Sequence, residues 1–196
     1  MNDGRPGERR LRVGVSACLT GQQVRFDGQG KRDGYVAGVL GRYLELVPVC
    51  PEVAIGLGVP RETVRLRQTG GDVRLVGNRS GADVTEPMLR FARRCVDALA
   101  PSLSGFVLKS DSPTCGMERV RVYPPEDGRA PRRDGVGLFA RVLLDRHPLL
   151  PVEEEGRLHD QGLRENFVTR LFAYDRLRQF FEQDWTVGQL VAFHAE

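Results

Sequence analysis

The amino-acid sequence predicts an α/β fold: a largely parallel sheet flanked by helices, with a C-terminal helical extension. Three observations carry this reading. Short apolar runs of strand length alternate with stretches whose apolar residues recur at helical spacing, the pattern of strands joined by crossover helices. Each run gives way to a loop of glycine and polar residues. Beyond Glu155 the strand-length runs cease and only the helical period continues.

The elements follow in order. Residues 11–16 (LRVGVS) form the first strand, and a loop through Cys18 and Gly21 runs on to Gly34. A small helix covers Tyr35 to Leu44, with Val36, Val39 and Leu40 facing inward. Leu46 to Val49 is a second buried strand that ends at Cys50-Pro51. Residues 63–68 (TVRLRQ) and 72–77 (DVRLVG) flank Gly70-Gly71, a hairpin signal. Thr85 is suited to cap a helix through Ala100, on which Met88, Phe91, Cys95 and Leu99 stand at helical spacing. Phe106 to Leu108 is a third buried strand and leads into KSDSPTCG. A strand at Val120–Tyr123, a helix from Gly137 to Asp145 and a last strand at Leu149–Val152 complete the sheet. Phe167, Leu171, Tyr174, Leu177 and Phe181 then mark a helix over 163–181. Thr186 caps a further helix whose pattern still runs at Glu196, so the chain reads as part of a longer protein.

A chain of 196 residues suffices for one well-buried domain with a small appendage. Its 40% hydrophobic and 28% charged residues are those of a soluble globular protein. No apolar run approaches the roughly 20 residues of a membrane span. The opening MNDGRPGERR has no apolar stretch for a signal peptide, which points to the cytoplasm and a short disordered start. The net charge of +3 rests on arginine, with almost no lysine. On charge alone a solvated surface is a better reading of that balance than attraction to phosphate.

In a reducing compartment the four cysteines are thiols, not disulfides. Cys18, Cys50 and Cys115 each follow a buried-strand candidate, whereas Cys95 sits in a helical apolar stripe and reads as a core residue. Ligands of open α/β sheets bind beyond the carboxyl ends of the strands, where three thiols would converge if the strands are parallel neighbours. The three stand 32 and then 65 residues apart, without the close pairs of a zinc site or the C-x-x-C of a redox relay. Soft thiolates suit an iron–sulfur cluster, and three ligands on four irons leave one iron open. On spacing alone, three unrelated buried thiols is the stronger reading.

SACLTG with VRFDG after it, then VCPE, then KSDSPTCG, together resemble the thiouracil desulfidase family over most of residues 11–145. The resemblance implies an α/β fold carrying a [4Fe-4S] cluster on Cys18, Cys50 and Cys115, with one iron not bound by cysteine. It implies that Glu52 of CPE is the acid/base carboxylate and Ser112 of SPTC the essential serine. The substrate implied is a thiolated pyrimidine: a free base, a nucleotide such as 4-thio-UMP, or 4-thiouridine in tRNA. Sulfur would leave as hydrogen sulfide without net redox. The stretch from LRENF to AFHAE resembles the linker and opening of a helical domain often fused to this one. The divisions expected are thus a disordered tail over 1–10, the desulfidase domain over 11–152, and a helical linker with the start of a second domain over 153–196.

Without the resemblance, Glu52 reads as a helix N-terminal charge after Pro51 and Ser112 as a cap. Lys109 and Ser110 can place a phosphate or a base oxygen, although a lysine ending a strand is more often solvated. Arg61 and Arg25 hold a nucleotide phosphate or brace a loop by salt bridges, and the sequence weighs these equally. No G-x-x-x-x-G-K-[ST] phosphate loop is present, and His147, His159 and His194 lack metal-ligand spacing. The arginines at 119, 121, 129, 132, 133 and 141 tilt the substrate mildly towards a nucleotide or tRNA. The rival class is an RNA-binding module with a structural or redox-sensing metal on its cysteines. A sulfur-inserting enzyme would need an ATP-binding motif, which is not seen.

Overall fold

The computed structural model describes residues 9–125 and 130–195. Most of the expected N-terminal tail, and Arg129, lie outside the described residues.

Two four-stranded sheets form. The first has the order β2-β1-β5-β8, from β1 (Arg12–Ser16), β2 (Glu45–Val49), β5 (Gly105–Leu108) and β8 (Val152–Glu154), and is parallel throughout. The second has the order β4-β3-β6-β7, from β3 (Val64–Thr69), β4 (Asp72–Gly77), β6 (Val120–Tyr123) and β7 (Arg132–Gly135). Here β3 and β4 form the expected hairpin, β3 and β6 run parallel, and β6 and β7 antiparallel. The expected parallel sheet is thus the first of two. β7 was not expected from its sequence, RRDG, because an edge strand bonded on one side carries no apolar pattern.

Helices cover both faces of the parallel sheet. Phe106 and Leu108 of β5 pack with Ala92 and Val96 of α3 (Thr85–Leu99) and with Phe139 and Leu143 of α4 (Leu138–Arg146). Val13, Val15 and Val107 face the other way, onto Phe167 and Leu171 of α5 (Gln161–Phe181) and onto Val36 and Leu40. Gly14 of β1 makes room for this layering: a Cβ there would stand 2.3 Å from the Phe106 ring. Asp175, buried on α5, accepts from Ser104 at 2.9 Å and from Arg178 at 2.8 Å, which ties the helix to the start of β5.

Three local expectations are corrected. The helix at 35–44 is a π-turn (Val36–Leu40) leading into one α-turn, α1 (Gly41–Tyr43), and this rotation leaves Val39 exposed while Val36 and Leu40 are buried. Thr85 does not cap α3: its hydroxyl accepts from Leu75 N at 2.8 Å, and Asp83 Oδ1 receives the Thr85 N–H at 2.9 Å. The last strand begins after Pro151, which has no N–H to give a ladder, so it spans Val152–Glu154 and leaves Leu149 exposed. The acidic run Glu153–Glu155 lies in and just after this strand, and all three side chains are buried. The expected cap at Thr186 forms, as a capping box with Gln189, and opens α6 (Val187–His194). Among the described residues no helix is long and apolar enough to cross a membrane.

Candidate active site

β2, β1 and β5 are parallel neighbours, with Ser16 beside Val49 and Val15 beside Val107, so their carboxyl ends open at one edge. Cys18 sits in the short 3₁₀ turn Ala17–Thr20 that directly follows β1. Cys50 closes β2 and stands at the N-terminus of the single turn α2 (Pro51–Ala54), whose Pro51 occupies the first helical position. Cys115 lies in the loop after β5. All three line one cavity of about 350 Å³, together with Glu52, Arg61, Arg25, Lys109, Ser110, Ser112 and Thr114. The nine residues picked from the sequence therefore meet in one place. Cys95 does not; it packs on α3 against the core.

Cys115 is buried, and Cys18 and Cys50 are half-buried. Burial pushes Cys18 up to about 11 and Cys115 up to about 12, and it raises Cys50 as well. Without a metal these groups are neutral at pH 7; a bound metal takes the place of their protons. Among the described residues no three His, Cys, Asp or Glu side chains are placed to hold a single metal ion. A closed zinc site needs four ligands gathered on one ion. Three thiols spread around a cavity suit a multi-iron cluster, in which each thiolate meets a different iron. The donor set and the cavity therefore fit such a cluster.

Glu52 is fixed from both sides. Arg61 donates to its Oε2 from Nε at 3.0 Å and Nη2 at 2.6 Å, and Thr114 Oγ1 donates to its Oε1 at 2.9 Å. Arg61, with its side chain 5% exposed, also binds the carbonyls of Gly58 and Val24, so its fork is engaged on Glu52 and the adjoining loops. Arg25 lies over the Phe26 ring and 3.6 Å from Asp27. Lys109 Nζ binds Ser110 Oγ at 2.9 Å and pairs with Glu155, which also accepts the Ser110 N–H at 2.7 Å. Ser112 Oγ accepts the N–H of Cys115 at 3.1 Å and lies 3.0 Å from Thr114 Oγ1. On the cavity rim, Asp111 meets Arg121 at 3.2 Å and Arg133 at 3.8 Å.

Sequence reasoning missed Thr114, Glu155 and Ser16, whose hydroxyl accepts the Lys109 N–H at 2.9 Å. Thr114 and Ser16 carried a signal, by standing inside SPTC and SACLTG. The loop that presents Cys115 is seated on the start of α4: Gly137 N donates to Gly116 O at 2.8 Å and Phe139 N to Thr114 O at 2.9 Å. A Cβ on Gly137 would come within 2.5 Å of the Thr114 carbonyl and 2.8 Å of Cys115 N. Gly137→Ala is therefore expected to cost about 1–3 kcal/mol, as overpacking does, and to lower iron uptake. A thermal melt and an iron assay check both effects.

A parallel α/β sheet that brings three cysteines, a braced carboxylate and a hydroxyl pair to one crevice has the frame of an enzyme built around thiolate ligands. The chain belongs to the 2-thiouracil desulfurase family, whose sequence profile matches residues 13–155. It is similar to the solved structure of the [4Fe-4S]-dependent thiouracil desulfidase TudS, at 33% identity and a TM-score of 0.59, over 80% of this chain and 99% of that one. No curated protein matches the chain.

Proposed function

We propose that this protein is a [4Fe-4S]-dependent desulfidase that exchanges the sulfur of a thiolated uracil for oxygen and releases hydrogen sulfide. The observation that carries the reading is the meeting of Cys18, Cys50, Cys115 and the braced Glu52 in one cavity. The reaction is a hydrolysis, C=S + H₂O → C=O + H₂S, and needs no outside electron donor. Cys18, Cys50 and Cys115 would hold three of the irons. When bound, the cluster supplies one iron without a cysteine ligand, a Lewis acid for the sulfur.

The chain's own groups do the rest. Glu52 takes a proton from the attacking water, a contribution worth about 10²–10⁴-fold. Arg61 keeps the carboxylate aimed into the cavity. Ser112 relays the proton, and Lys109, Ser110 and Arg25 form the polar wall that orients the ring. The substrate is 4-thiouridine in tRNA, its nucleotide or the free thiobase, with the rim arginines favouring the phosphorylated forms. Four free cysteines suit the reducing cytoplasm.

Anaerobic reconstitution with iron and sulfide, followed by 4-thio-UMP, tests this. The near-ultraviolet band of the thiobase should fade as sulfide is released, only in loaded protein. A stable cluster that converts neither 4-thio-UMP nor 2-thiouracil would overturn the proposal in favour of a binding module.

A further inference from the structure

Thr114 lies between the two groups given chemical roles. It is 1% exposed and lines the cavity. Its hydroxyl stands 2.9 Å from Glu52 Oε1 and 3.0 Å from Ser112 Oγ. A hydroxyl has one hydrogen to give, whereas a carboxylate only accepts. Of the acceptors in reach of the Thr114 hydroxyl, the carboxylate at 2.9 Å is closer and stronger than Cys115 Sγ at 3.6 Å. Thr114 therefore gives its hydrogen to Glu52, and the hydrogen shared with Ser112 comes from Ser112. Ser112 Oγ also accepts the N–H groups of Thr114 at 3.3 Å and Cys115 at 3.1 Å, which fill its lone pairs and aim its own hydrogen. The hydrogens thus run in one direction, from Ser112 through Thr114 to Glu52. Arg61 closes the far end on Oε2, so neither Glu52 oxygen is free to turn.

We propose that Thr114 is a positioning residue whose buried hydroxyl, bonded to both Ser112 Oγ and Glu52 Oε1, locks these two side chains into one unit facing the cavity. The inference rests on the desulfidase reading. Its physical basis is that catalytic groups lose rate steeply when misaligned, about 10²-fold for a displacement near 1 Å. A threonine that merely closed the SPTC turn would have no need of Glu52, which lies 62 residues away in sequence.

The test compares Thr114→Val, which keeps the shape and removes the hydroxyl, with Thr114→Ser, which keeps the hydroxyl. Both are read in reconstituted full-length protein with 4-thio-UMP. Thr114→Val should lower kcat by about 10- to 100-fold and leave KM, iron content and melting midpoint near those of the parent. Thr114→Ser should recover most of the lost kcat. In a Glu52→Gln background Thr114→Val should cost nothing further, since residues acting as a unit are non-additive. Undiminished kcat in Thr114→Val, an additive loss in the double variant, or loss of iron in Thr114→Val would each overturn the inference. If the parent protein itself shows no turnover, the desulfidase reading falls and this inference with it; an active parent with a fully active Thr114→Val sinks this inference alone.

Discussion

Serine in place of Cys18, Cys50 or Cys115 is expected to abolish the visible absorbance of the reconstituted protein, each change alone, while Cys95→Ser keeps it. The first three thiols line one cavity, and Cys95 packs on α3 outside it. A serine hydroxyl is a hard donor and a far weaker acid than a thiol, so it does not replace a soft thiolate on iron. The loading step has a pH dependence whose sign follows from burial. Cys18 and Cys115 are pushed up to about 11 and about 12, so near neutral pH iron must displace protons from thiols that hold them tightly. Loading should strengthen as pH rises and weaken as it falls. Iron and sulfide assays of the four variants, with the parent loaded at several pH values, check both points. Equal loss of the cluster in all four variants would sink the ligand assignment.

How far the sequence foretold this site depends on which interactions are local. β1, β2 and β5 were legible because strands of a covered parallel sheet are apolar runs, and each run pointed to the cysteine beyond it. The hairpin at Gly70-Gly71 was legible for the same reason of locality. The second sheet was not, since β3 pairs with β6 some 56 residues on, at Leu66 and Val122. In the sequence Glu153–Glu155 marks only the point where the strand-length apolar runs cease. These carboxylates are buried on partners: Arg157 for Glu153, the Met117 N–H for Glu154, and Lys109 with Ser110 for Glu155. Only folding brings those partners together. Arg61 was foreseen as either a phosphate ligand or a brace, and its bonds to Glu52 and two carbonyls are those of a brace.

That brace decides how Glu52 should be replaced. Glu52→Gln is expected to retain the cluster and the fold while turnover falls by at least about 10²-fold, the lower end for a general base. The amide oxygen still accepts from Arg61, so the buried guanidinium keeps a partner. Glu52→Ala removes the base and also leaves the charge of Arg61, whose side chain is 5% exposed, with two carbonyls but no carboxylate. Breaking a buried pair in this way costs about 3–5 kcal/mol. The alanine variant should therefore melt lower and load less iron, confounding two effects that the glutamine variant separates. Single-turnover assays on Glu52→Gln, with iron content and melting midpoint measured on the same sample, isolate the chemical role. Near-normal turnover in Glu52→Gln would remove Glu52 as the base and reduce the Arg61–Glu52 pair to a brace for the loop.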